Sequence, residues 1–274
     1  MQAREAFARL VALPDREIPL AETALWIAAE ARPGLDVSRY LAQLDALAER
    51  AGEQVARASN DHERVARLNH SLFIDEGFAG NHDEYEDPRN SFLDAVLDRR
   101  TGLPITLSLV YVEVARRIGL EAEGVGFPGH FLAKVSSNDG DVIVDAFHRE
   151  TLSLEDCKRR LEEISSGRVP FEPDMLAASS HRAILRRVLT NLKHLYARLR
   201  EPENTLACCD RLLLIAPDDP IEWRDRGLVY RELECFGAAL SDLNRYLETA
   251  QKGPVLERIR RVVDELEGRA RQIH

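Results

Sequence analysis

The segment from Pro104 to Ile118 constrains the fold most. Ile105, Leu107, Leu109, Val110, Val112, Val114, Ala115 and Ile118 surround it with apolar side chains. A helix that is apolar all round has no face to give to water, so it belongs at the centre of a domain, with neighbours on every side. Pro104 suits the first helical turn, where its missing N–H leaves nothing unpaired, and Gly119 suits the exit.

Strands are expected after this helix and further helices before it. EAEGVGF, HFLAKV and DVIVDAF are short and apolar, and SSNDGD between the last two carries Asp139-Gly140, a favoured hairpin turn. Upstream, Leu20, Ala24, Leu25 and Ala28 have helical spacing that ends at Pro33-Gly34. Asp36 predicts an N-cap for a second helix, with Tyr40, Leu41, Leu44, Leu47 and Ala48 on one face. Asn60-Asp61 breaks that helix before a third, ERVARLNHSLFIDEGF. Residues 80–91 form a polar loop, and FLDAVLDRR a short helix. The fold class is therefore α+β, mostly helical, with a small antiparallel sheet beside a central helix.

The last third is helical and repeats with a period of about 34 residues. Tyr196 corresponds to Tyr230, Leu199 to Leu233, Leu206 to Leu240, Leu213 to Leu247 and Pro220 to Pro254. Each unit reads as a helix, a tight turn and a second helix closed by proline. Trp223, Gly227, Tyr230, Ala239 and Leu243 resemble the small and aromatic pattern of tetratricopeptide repeats. VLERIRRVVDELEGRARQIH reads as a capping helix. Three regions are expected, at residues 1–80 (helical), 81–180 (the core with its sheet) and 181–274 (the repeats).

Composition narrows the partners. Apolar residues make up 45%, enough for a core, while 37 Lys and Arg against 47 Asp and Glu give a net charge of −10. Such a surface repels phosphate backbones and anionic lipid unless a local basic stripe offsets it. Arg182, Arg186, Arg187, Lys193 and Arg198 lie on a helix with an apolar face and read as its solvated side. Cys157, Cys208, Cys209 and Cys235 form no CxxC pair and fit reduced structural thiols. No segment reads as a signal peptide or a membrane span. A cytoplasmic protein with no nucleic-acid or membrane partner is expected.

The candidate site starts at His130, which follows Phe127-Pro128-Gly129. The Pro-Gly pair aims the first side chain of the next strand. Asp145 lies on the following strand and falls opposite His130 if paired residue numbers sum to about 275. A carboxylate there orients the imidazole and fixes its tautomer. Of the hydroxyls near the central helix, Thr101, Thr106 and Ser108, the best placed is Thr106, though its plainer role is to bond a free backbone group. Asn90 reads as a helix cap. Arg99 and Arg100 read as partners of the carboxylates in residues 84–87, or as the lining of an anion-accepting cleft. His62, His70 and His82 with Asp83, Glu84 and Glu86 have irregular spacing and read as a solvated acidic loop, so no metal is expected. No phosphate loop or dinucleotide fingerprint is present, and no cofactor is expected.

A central helix followed by strands carrying His and then Asp resembles the transglutaminase-like core of papain-type thiol enzymes. DPRNSFLDAVLDRRTGLPITLSLVY, GVGFPGHFLAKV, LRRVLTNLKHLYARL and RDRGLVYREL resemble more closely the SirB-type bacterial family, over about residues 21–248. That family joins a helical N-terminal region and such a core to tetratricopeptide units. The resemblance implies that His130 and Asp145 occupy the family's His and Asp positions. It places Asn90, Phe127 and Gly129 in motifs near the cleft. It also places the thiol enzymes' nucleophilic cysteine at about Pro104. Where the SirB-type pattern reads Pro-Phe-Asn-Gly-Gly after the aspartate, this chain reads Ala146-Phe147-His148-Arg149-Glu150.

Two functions are compatible with these features. One is a non-catalytic interaction or regulatory protein that binds a protein or peptide partner through a groove containing Tyr196, Trp223 and Tyr230. The other is a hydrolase or acyl-transfer enzyme in which His130 and Asp145 activate a hydroxyl or water. The oligomeric state is open.

Overall fold

Pro104 opens the central helix at its first turn, as its fixed backbone angle allows. The computed structural model describes residues 2–138, 140–249 and 253–273, with side chains to residue 268. Its elements run in order as α1 (Gln2–Val11), α2 (Leu20–Ala31), α3 (Val37–Val55), α4 (Asp61–His70), β1 (Ala79–Gly80), α5 (Leu93–Arg99), β2 (Thr101–Gly102) and α6 (Pro104–Arg117). After the central helix α6 come β3 (Ala122–Val125), β4 (Leu132–Val135), β5 (Val142–Asp145), β6 (Glu150–Leu152) and α7 (Leu154–Ser165). The chain continues through α8 (His181–Leu199), α9 (Pro202–Ile215), α10 (Pro220–Glu232), α11 (Phe236–Thr249) and α12 (Pro254–Ile273). The fold is α+β, and no described helix is long and apolar enough to cross a membrane.

Two compact units share the chain, residues 1–188 and 189–274, so the N-terminal helices and the sheet belong to one unit. Within it α6 is buried from Pro104 to Ala115, as its sequence requires. Helices α2, α3 and α5 cover one side, and β3 and β4 the other. Local rules account for the helix ends. Asp36 caps α3 by accepting from Arg39 N at 3.2 Å, and Asn60 caps α4 by accepting from Glu63 N at 2.8 Å. The third helix continues past His70 as one wide turn, Ser71–Asp75.

The sheet has four antiparallel strands in the order β3-β4-β5-β6. The fourth, β6, follows an unexpected reversal at residues 146–149. The β4–β5 register pairs Ala133 with Val144 and Val135 with Val142. Paired numbers thus sum to 277, not 275. A shift of two residues keeps every side chain on its expected face, whereas a shift of one reverses them all. Asp139 of the expected turn lies outside the described residues.

Residues 80–91 are not wholly irregular. β1 pairs with β2 in parallel, and residues 88–91 form a single tight turn of helix. Gly102 allows this strand to approach the start of α6. A Cβ there would come 2.8 Å from Val96 Cγ2 and 2.9 Å from Thr106 Oγ1.

In the second unit the prolines open helices rather than close them. Pro202, Pro220 and Pro254 each stand at the first helical positions. Ala239 and Leu243 are fully buried, and a Cβ at Gly227 would come 2.8 Å from Leu243. The small residues of the repeat therefore mark the close approach of α10 to α11. Lys193, buried in α8, donates to the buried Glu222 and the half-buried Asp225 at 2.7–2.8 Å, so the enclosed charges are paired.

Gly102→Ala should cost about 1–3 kcal/mol, the usual penalty for overpacking a filled site. Urea denaturation of the full chain measures it, and an unchanged midpoint would contradict the close approach of β2 to α6.

Candidate functional site

His130 lies in the turn just before β4. Its N–H donates to Phe127 O at 3.0 Å. Gly129 holds φ at +68°, a left-handed conformation, and a Cβ there would meet Ile164 Cγ2 of α7 at 2.6 Å. Phe127 is buried beneath the turn with Leu132, Cys157 and Leu161. The Pro-Gly pair thus aims His130 at the end of β5, where Asp145 stands. His130 Nε2 lies 2.8 Å from Asp145 Oδ2.

Asp145 is completely buried and holds five donors. Its Oδ1 accepts from the backbone N–H of Phe147 at 3.0 Å and of His148 at 3.1 Å. Its Oδ2 accepts from His130, from His148 Nδ1 at 2.9 Å and from the guanidinium of Arg160. Arg160 also donates to Glu150 Oε1 at 2.5 Å. An ionised carboxylate only accepts, so Nε2 of His130 is a protonated ring nitrogen, while Nδ1 of His148 faces both Asp145 Oδ2 at 2.9 Å and the donor Nη1 of Arg160 at 3.3 Å. His130 therefore keeps its lone pair on Nδ1.

Electrostatics set what that lone pair can do. Burial pushes the His130 pKa down from 6.5 to about 3, and the charges of Arg160, His148 and Arg187 act in the same direction. Arg160, bound to the same Asp145 oxygen, offsets the attraction by which that carboxylate ordinarily raises a paired histidine. A base of that pKa is mismatched to proton abstraction near neutrality.

The hydroxyls near α6 are occupied. Thr106 is buried, and its Oγ1 accepts from Leu103 N at 3.1 Å and faces Asn90 O at 2.7 Å. This is the plain role of a first-turn threonine. Ser108 donates to Phe131 O at 3.3 Å, and Thr101 to Arg99 O at 3.2 Å. Cys157 is buried in the core, and burial pushes its thiol pKa up, away from the reactive thiolate.

Asn90 does not cap a helix. It is buried, its Nδ2 donates to Glu84 O at 2.7 Å, and its Oδ1 accepts from Asn81 at 3.1 Å and Arg99 at 3.3 Å. Asp87 caps that turn instead, by accepting from Arg89 N at 2.9 Å. The two arginines separate. Arg99 pairs with Asp87 at 3.3 Å, as the loop reading expects. Arg100, at φ +58°, turns to Glu76 at 3.0 Å and lies over the Phe78 ring.

The three expected groove residues differ in exposure, with Trp223 and Tyr230 half-buried. Tyr196 is buried. Trp223 donates to Pro217 O at 2.9 Å and lies between the guanidinium groups of Arg226 and Arg245, 4.7 and 4.1 Å from its ring. Arg226 also lies over Tyr230 at 5.7 Å.

Arg160 is the site residue that sequence reasoning missed, while His82 and His148 are read there only as parts of the acidic loop and of the altered segment after Asp145. His148 and Arg160 both converge on Asp145, and His82 packs edge-on against Phe147 at 4.6 Å, its ring 5.6 Å from that of His148. His148 follows Asp145 by three residues, the span of a tight turn, which was a usable signal. Nothing in the sequence linked Arg160 to Asp145. The donor atoms of His130, Asp145 and His148 lie within 4.8 Å of one another and are of metal-ligand type. Arg160 is bound to the same Asp145 oxygen, so an ion there competes with the guanidinium.

His130 should remain neutral at pH 5 by imidazole carbon and nitrogen NMR, and an imidazolium at that pH would contradict its depressed pKa. Its folded pKa is depressed, so between about 3 and 6.5 the unfolded chain binds the extra proton. The stability this residue contributes is full above about pH 6.5 and is lost as pH falls. Arg160→Met should raise the His130 pKa by removing a nearby positive charge.

Comparison with known proteins gives the family. The Transglutaminase-like superfamily matches residues 38–190, and the Tetratricopeptide repeat matches residues 192–264. A UPF0162 protein of Xylella fastidiosa is 39% identical over 243 residues, covering 87% of this chain and 86% of the relative. Protein SirB1 of Salmonella typhimurium is 30% identical over 220 residues, covering 80% and 81%. UPF0162 protein YchA of Escherichia coli K12 is 30% identical over 236 residues, covering 85% and 86%. The chain belongs to this transglutaminase-like family of SirB1 and UPF0162 proteins, with tetratricopeptide repeats after the core.

Proposed function

We propose that this protein is a non-catalytic, cytoplasmic member of its superfamily, and that it binds a protein or peptide partner through its C-terminal repeats. The observation that carries this reading is Pro104 at the start of the central helix. Helix N-termini activate cysteine thiols by lowering their pKa, and this is where the thiol enzymes of the resemblance keep theirs. Proline brings neither a nucleophile nor a backbone N–H. The depressed basicity of His130 and the full occupation of Asp145 support the same reading. Tetratricopeptide repeats generally mediate protein contacts, and the free thiols Cys157, Cys208, Cys209 and Cys235 fit a reducing compartment.

The hydrogen-bonded His130–Asp145 pair favours a second reading, a hydrolase or acyl transferase that activates a hydroxyl or water.

Affinity capture with the full chain, quantified by mass spectrometry, separates the two. Trp223→Leu or Tyr230→Ala should reduce capture of a specific partner about tenfold, as truncation of an aromatic hot spot does. Helical circular dichroism and melting temperature establish that each variant is folded. His130→Ala should leave capture unchanged. Ester hydrolysis or amine incorporation that His130→Ala abolishes would overturn the non-catalytic reading. Capture insensitive to both aromatic substitutions would overturn the role of the repeats.

A further inference from the structure

Arg187 is a half-buried cation without an anion. Its guanidinium lies over the Phe131 ring, 5.3 Å from the centroid. Its one hydrogen bond is long, 3.4 Å from Nη1 to Phe127 O, and that carbonyl already accepts from His130 N at 3.0 Å. Among the described residues no carboxylate lies within ion-pair distance of it. The comparable arginines of the same unit are all paired. Arg99 has Asp87, Arg100 has Glu76, Arg117 has Asp45 and Glu113, and Arg160 has Asp145 and Glu150. Partial desolvation of a guanidinium is costly unless a counter-charge compensates it. The ring beneath Arg187 compensates in part and leaves the donor edge of the fork unused.

We infer that Arg187 anchors a binding site, on the surface beside His130, for a carboxylate carried next to an apolar or aromatic group. The stacked guanidinium offers two parallel N–H donors, the geometry that a carboxylate accepts in bidentate fashion. Tyr85 is 51% exposed and close enough to Arg187 to act on its charge. Its ring stands edge-on to Phe147 at 6.0 Å, and Phe147 stands edge-on to His82 at 4.6 Å. Tyr85, Phe147 and His82 thus form a row of edge-on rings that reaches the surface at Tyr85. A phosphate calls for several converging donors or cations, whereas one fork beside aromatic rings suits a carboxylate with a flat or apolar neighbour. The site belongs to the core and stands whether or not the repeats capture a partner.

The experiment uses the full chain with nitrogen-labelled arginine side chains and backbone, observed by two-dimensional NMR. Phenylacetate should shift the Arg187 Nε–Hε signal and the amides of Phe131 and His130, saturating with a Kd on the order of 1 mM. Phenylacetamide, the neutral isostere, should not. Acetyl-Ala-Ala-Phe with a free C-terminal carboxylate tests the peptide source. Affinity at least tenfold above phenylacetate assigns a chain terminus, and equal affinity assigns a free organic acid. Arg187→Gln should abolish the response, and Arg187→Lys, which keeps the charge but loses the fork, should weaken it several-fold in a spectrum that otherwise matches the native fold. Arg16→Gln, at an exposed arginine, should leave it intact. Absence of any shift with both acids, or equal shifts with phenylacetamide, or a response that survives in Arg187→Gln, overturns the site.

Discussion

A helix with no polar face governs the first unit. α6 cannot lie at a surface, so three helices and two strands must enclose it. Its polar atoms then need partners inside. Tyr111, wholly buried, donates to Asn69 at 2.8 Å, and Asn69 in turn donates to Thr151 at 3.1 Å, so α6, α4 and β6 are joined through one hydrogen-bonded chain. Thr106 and Ser108 bond backbone carbonyls for the same reason. Both hydroxyls thereby satisfy their hydrogen bonding inside the core.

Burial also explains the candidate site. Asp145 is fully enclosed at the end of β5, and an enclosed charge is tolerable only with complete hydrogen bonding. Two backbone amides, two imidazoles and a guanidinium provide it. The cost falls on His130. Enclosed in the same place and flanked by positive charges, it loses basicity, while its bond to Asp145 connects the turn at Gly129 with the end of β5.

The repeat unit meets the burial requirement differently. Its helices are amphipathic and pack pairwise, with Gly227 and Ala239 allowing close approach and the aromatic rings held under arginines. Lys193 with Glu222 and Asp225, and Arg226 with Asp210 and Asp242, place paired charges along its helices. Removing one member of such a set strands the others, so these residues specify the packing of the unit.

Sequence alone determined much of this protein: the buried central helix, the α+β class, the cap at Asp36 and the 34-residue repeat. Those features depend on short-range patterns, whereas the pairing of His130 with Asp145 rests on a strand register that the sequence leaves open. Tertiary structure decided the rest. Asn90 abandons its cap because Asn81, Glu84 and Arg99 meet it in three dimensions. Arg100 takes Glu76 rather than the acidic loop because a left-handed turn redirects it. Arg160 reaches Asp145 from a helix packed on the sheet, and Arg187 meets the turn before β4 without a carboxylate to pair with. Which charge finds which partner depends on long-range packing, and no local spacing rule encodes it.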